Sequence, residues 1–88
     1  MDKWVQLYVK APEGNGYTTP EAMKRVDQHV NRLGAMFCAP EGTPIQRDDG
    51  TWEVRVMSES FSALVEDVLK KHYGLEIVNK VVNDQSDE

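Results

Sequence analysis

The stretch TPIQRDDGTWEVRVMS, Thr43 to Ser58, sets an Asp-Gly pair between two β-like runs, which is the strongest short-range signal for a hairpin. The residues also propose a register. A two-residue turn at Asp49 and Gly50 places Asp48 against Thr51, Arg47 against Trp52 and Ile45 against Val54, bringing apolar partners together on one face. A three-residue turn sets Ile45 against Glu53 instead, so the shorter turn is expected. Pro40 and Pro44 cannot donate to a ladder, which puts the strand before the turn at a sheet edge.

Working outward, Trp4 to Lys10 alternates, with Val5, Leu7 and Val9 on one side and Trp4, Gln6 and Tyr8 on the other, the period of a half-buried strand. The glycine-bearing loop EGNGYTTP follows. Thr19 is then a plausible N-cap, Pro20 suits the first helical position, and Met23, Val26, Val30 and Leu33 form one apolar stripe up to Gly34. Beyond the hairpin, Phe61, Leu64, Val65, Val68, Leu69 and Tyr73 repeat at helical spacing, with Gly74 as the stop. Leu75 to Asn83 is rich in β-branched residues and reads as a last strand.

The order βαββαβ, with right-handed crossovers over one sheet, leads to an α+β fold of the ferredoxin-like split-sandwich type: a four-stranded antiparallel sheet with two helices on one face. The expected core is Leu7, Val26, Val30, Val54, Val56, Leu64, Val68 and Ile77. Eighty-eight residues suit a single domain, expected over 1–82, with 83–88 as a disordered acidic tail. Hydrophobic residues at 40% and charged residues at 28% are those of a folded chain. The net charge is −5, but Asp84, Asp87 and Glu88 fall in the last six residues, so the body carries only −2 and gives little support to a nucleic-acid mimic.

No apolar run is long enough to span a bilayer, and MDKWVQLYVK lacks the basic and apolar regions of a signal peptide, so a cytoplasmic protein without membrane contact is expected. Cys38 is the single cysteine, which excludes an intramolecular disulfide, and beside Phe37 and Ala39 it reads as a small buried hydrophobe. The loop before the first helix lacks both a GxGxxG fingerprint and a P-loop lysine, and reads as a connection. His29 and His72 lie on helices without an i+4 ligand partner, so no metal, no cofactor and no catalytic constellation are expected.

LYV in the first strand and DGTWEVRV in the third resemble the layout of an RNA-recognition motif, which stacks bases on aromatics of those two strands. Tyr8 matches the first-strand position, but Thr51 and Glu53 stand where stacking aromatics belong and Asp49 replaces the leading base. A carboxylate there repels phosphate, so no direct nucleic-acid binding is expected.

The remaining feature is the sheet face away from the helices. With Val5, Leu7, Val9, Trp52, Val54 and Val56 directed inward, Trp4, Gln6, Tyr8, Glu53, Arg55 and Met57 point outward, joined by Val78 and Val82 if Leu75, Ile77 and Val81 face the core. Aromatic residues and Met are enriched at contacts. The expected function is therefore a small non-enzymatic interaction or regulatory module, docking on a protein partner or a second copy through its open sheet face or an edge strand, with Trp4, Tyr8, Glu53, Arg55, Met57 and Val78 at the interface. Two alternatives stand beside it. One is an acidic inhibitor, of the kind some phages encode, placing Glu13, Glu41, Asp48, Asp49 and Glu53 on a basic groove. The other is a small-ligand sensor using the first loop.

Overall fold

A computed structural model of the chain describes residues 3–84. It has four strands, β1 (Lys3–Lys10), β2 (Ala35–Phe37), β3 (Trp52–Val56) and β4 (Glu76–Asp84), and two helices, α1 (Pro20–Asn31) and α2 (Ser62–Asp67). The sheet is antiparallel throughout in the order β2-β3-β1-β4. The α+β class, the four-stranded antiparallel sheet and the pairing of first strand with last are as the sequence leads one to expect.

Helix α1 starts where its capping chemistry dictates. The Thr19 hydroxyl accepts from the Ala22 amide at 3.2 Å, Pro20 occupies the first turn where its missing N–H leaves nothing unpaired, and Glu21 adds a favourable charge. Met23, Val26 and Val30 bury the stripe predicted for it. Alternation in β1 sends Val5, Leu7 and Val9 to the same core, which also takes Trp52, Val54, Val56, Val65, Leu69 and Leu75.

Five expectations fail, each for a physical reason. The hairpin turn has three residues: the Gly50 amide donates to the Arg47 carbonyl at 2.9 Å, the Arg47 amide to the Thr51 carbonyl at 2.7 Å, and Gln46 bridges Trp52. Gly50 at φ 86° supplies the left-handed residue this turn requires. The Asp49 carboxylate also accepts from the Thr51 amide at 3.0 Å and its hydroxyl at 2.6 Å, an arrangement local to that loop. Ile45 accordingly does not face Val54 and stands exposed, while Pro44 is buried.

The partner of β3 is not the segment before the turn but β2, with Ala35 opposite Val56 and Phe37 opposite Val54. Alternation there buries Ala35 and Phe37 and turns Met36 and Cys38 outward, so Cys38 is exposed, not buried.

Leu64 is 49% exposed, outside the core. The inward residues of α2 are Ser62 and Val65, followed by Leu69 in the π-helical turn over Val68–His72, and this stripe at i, i+3, i+7 leaves Leu64 on the solvent side. Lastly, β4 runs through Asn83 and Asp84, which pair with Trp4 and Lys3, so these two belong to the sheet; the rest of the expected tail, 85–88, lies outside the described residues.

The glycine-bearing loop has a structural task. Asn15 Nδ2 donates to the carbonyls of Tyr73 at 2.9 Å and Gly74 at 3.1 Å, while its Oδ1 accepts from the Tyr17 amide at 2.8 Å. It thereby caps the carbonyl end of the second helical segment, where such groups otherwise lack partners.

Candidate protein-interaction face

Because residues directly opposite in an antiparallel ladder share a face, the register assigns the outward set. Tyr8 lies opposite Glu53 and Gln6 opposite Arg55 on one side of β1, with Asn79, Val81 and Asn83 opposite Tyr8, Gln6 and Trp4 on the other. Met57 follows β3 one residue beyond the Val5–Val56 pair, on the same outward alternation. The structure therefore brings Trp4, Tyr8, Glu53 and Arg55 together as expected.

A β-bulge corrects the β4 part. The register shifts between Tyr8 and Val9, leaving Val78 without a partner in β1. Beyond the extra residue the alternation inverts, so Val81, expected inward, shares the open face with Gln6, and Val82 lies opposite core-facing Val5. Val78 remains exposed and lines a shallow depression with Tyr8, Arg47, Thr51, Asn79 and Val81.

At the centre sits Glu53, only 7% exposed although it points away from the core. Its Oε2 accepts from Arg55 Nε at 2.9 Å and Gln6 Nε2 at 3.0 Å, and Arg47 Nη1 lies 3.9 Å from Oε1. Asn83 Nδ2 donates to Gln6 Oε1 at 3.2 Å, extending the network to β4. Each arginine also covers an aromatic ring: the Arg47 guanidinium is 4.9 Å from the Tyr8 ring centroid and that of Arg55 is 5.8 Å from Trp4. One buried carboxylate thus anchors two guanidinium groups, and these hold two half-buried aromatics in place. Exposed Met36 and Met57 add apolar area. Glu53 is thus covered and not presented to an outside groove, whereas Asp49, bonded to Thr51 and near Arg47, stays exposed.

Burial raises the Glu53 carboxyl, but the hydrogen bonds from Gln6 and Arg55 and the charges of Arg55 and Arg47 outweigh it, so its pKa lies below the ordinary glutamate value. A group with a depressed folded pKa stabilises above its unfolded pKa and loses that contribution as pH falls through the folded value. Glu53→Gln is therefore expected to flatten the decline in thermal midpoint on acidification below about pH 4.5; an unchanged profile shows that the network does not stabilise the fold.

A second cluster escaped the sequence reading. The His29 Nδ1 and Tyr73 hydroxyl form a hydrogen bond of 2.7 Å, the His29 and His72 ring centroids are 5.3 Å apart, and Tyr17 meets Tyr73 edge-on at 5.3 Å. These residues come from the first loop, α1 and the end of the π turn with the Tyr73 that caps it, so nothing in local spacing announces them. Among the described residues no group of three or more His, Cys, Asp or Glu is placed to hold a metal, and no helix is long and apolar enough to cross a membrane. Compared with known proteins, the chain matches no family model, no curated protein and no solved structure.

Proposed function

We propose that this protein is a non-enzymatic protein-binding module whose working surface is the open face of its sheet. The observation that carries the reading is the pair of half-buried aromatics, Trp4 and Tyr8, each lying beneath an arginine tied to the same buried Glu53. Binding energy at interfaces concentrates in Trp, Tyr and Arg side chains. Holding such anchors in one arrangement before contact lowers the ordering cost of association. Around them, Met36, Met57, Val78 and Val81 supply apolar area that a solvated face would not need.

On the finer architecture, we propose a ferredoxin-like split sandwich. Support comes from the βαββαβ element order, the central position of β1 and β3, and the single core shared by both helices with one face of the sheet.

The test is the double variant Trp4→Ser with Tyr8→Ser. Neither residue belongs to the core, so the circular-dichroism spectrum should keep its helical signal. Capture of the partner from extract of the native host, or self-association in sedimentation, should weaken by about thirtyfold or more, corresponding to ~2 kcal/mol for one aromatic anchor. A folded double variant that associates like the unaltered protein removes the open face from consideration.

A further inference from the structure

We propose that side chains close both edges of the sheet against strand addition, and that the block at Val78–Lys80 prevents β4 from pairing with a second copy of the chain. The order β2-β3-β1-β4 leaves β2 and β4 as edges, whose outward amides and carbonyls are a template for another strand.

The orientation of those groups follows from the ladder. The Met57 amide donates to the Gly34 carbonyl and the Cys38 amide to the Glu53 carbonyl, each at 2.9 Å, so Glu53, Arg55 and Met57 turn their backbones toward β2. Alternation then directs Trp52, Val54 and Val56 toward β1, and Trp4, Gln6 and Tyr8 toward β4. Two outer sets remain: Ala35 and Phe37 on β2, and Lys80, Val82 and Asp84 on β4 beyond the bulge.

On β2 one outward group of each residue is taken by α1. The Phe37 amide donates to Asp27 Oδ1 at 2.8 Å, and Asn31 Nδ2 donates to the Ala35 carbonyl at 3.0 Å. Asn31 Nδ2 also reaches Asp27 Oδ1 at 3.0 Å, binding the two blocking side chains to each other. The strand has only three residues, and these bonds occupy the Phe37 amide and the Ala35 carbonyl of its outer edge.

At nine residues β4 is the greater hazard, and three devices converge on its middle. The bulge at Val78 interrupts the ladder and twists the edge locally. The outward Lys80 amide donates to Asn79 Oδ1 at 2.9 Å, which occupies it. Lys80 itself lies opposite Leu7, on the helix side, where its Nζ meets Glu66 Oε2 at 2.9 Å. A second strand laid along β4 would have to pass this charge and displace the Asn79 bond.

Deleting Val78 together with Asn79→Thr and Lys80→Val converts the edge into a regular, uncharged, β-branched run. Over a roughly hundredfold concentration range this variant should show about a twofold or larger rise in weight-average mass, with amide exchange at Val82 slowing as mass grows. The unaltered protein should keep fast, concentration-independent exchange there. Should the deletion prevent folding, Asn79→Thr with Lys80→Val and the bulge retained is read the same way. A folded variant that gains neither mass nor protection overturns the proposal, as does concentration-dependent protection of β4 in the unaltered protein. Adding Trp4→Ser and Tyr8→Ser to the edge variant should not reverse its association, which separates this inference from the open-face reading.

Discussion

Leu69→Ala is expected to cost roughly 2–5 kcal/mol of stability, while Leu64→Ala, five residues earlier, should cost under about 1 kcal/mol. Both leucines belong to the apolar repeat of the second helical segment, yet Leu69 is fully buried and Leu64 is 49% exposed. Truncating Leu69 leaves a void in the one buried cluster to which it belongs, whereas truncating Leu64 removes a side chain that water already reaches. Alanine is at least as good a helix former as leucine, so propensity does not separate the two. Denaturant midpoints of the two variants measure the contrast. Equal shifts would mean that burial does not separate the two sites.

Trp52 should give the second large effect, with a much smaller loss in one of two variants. It is 1% exposed and among the largest fully buried side chains, and Trp52→Ala is expected to cost roughly 3–5 kcal/mol. Its indole Nε1, however, is buried with no hydrogen-bond partner. A buried donor left unpaired costs about 1–3 kcal/mol, so Trp52→Phe removes that penalty while giving up only part of the packed volume. The expected loss for phenylalanine is under about 2 kcal/mol, with the difference between the two variants read from thermal or denaturant midpoints. A phenylalanine variant as unstable as the alanine one would show that the indole volume alone matters at this site.

Much of the open face was legible from alternation. Trp4, Tyr8, Glu53 and Arg55 were placed outward by counting from Val5 and Trp52, and the pairings of β1 with β3 put them together. What alternation does not carry is state. Glu53 reads as a presented carboxylate in sequence, but two arginines and Gln6 cover it, and two of these partners lie six residues before it on the hairpin and forty-seven before it on β1. The shift of Val81 to the open face was equally invisible, because a bulge is a misfit between two strands and neither strand alone records it.

Local rules decided what depends on neighbours in the chain. Thr19 and Pro20 set the start of α1, its stripe set the buried residues Met23, Val26 and Val30, and period-two alternation set the inner face of β1. These follow from side-chain direction and backbone hydrogen bonding within a turn or a strand, which a few consecutive residues determine. Competition between distant segments for the same site was settled only by the tertiary structure. Ala35–Phe37 took the place beside β3 because it could bury Ala35 and Phe37 and bond its edge to Asp27 and Asn31 of α1, an offer the Pro44-bearing segment could not match. The His29–Tyr73 contact and the Lys80–Glu66 ion pair have the same origin: each is a bond between different elements, formed once the core has fixed where those elements lie.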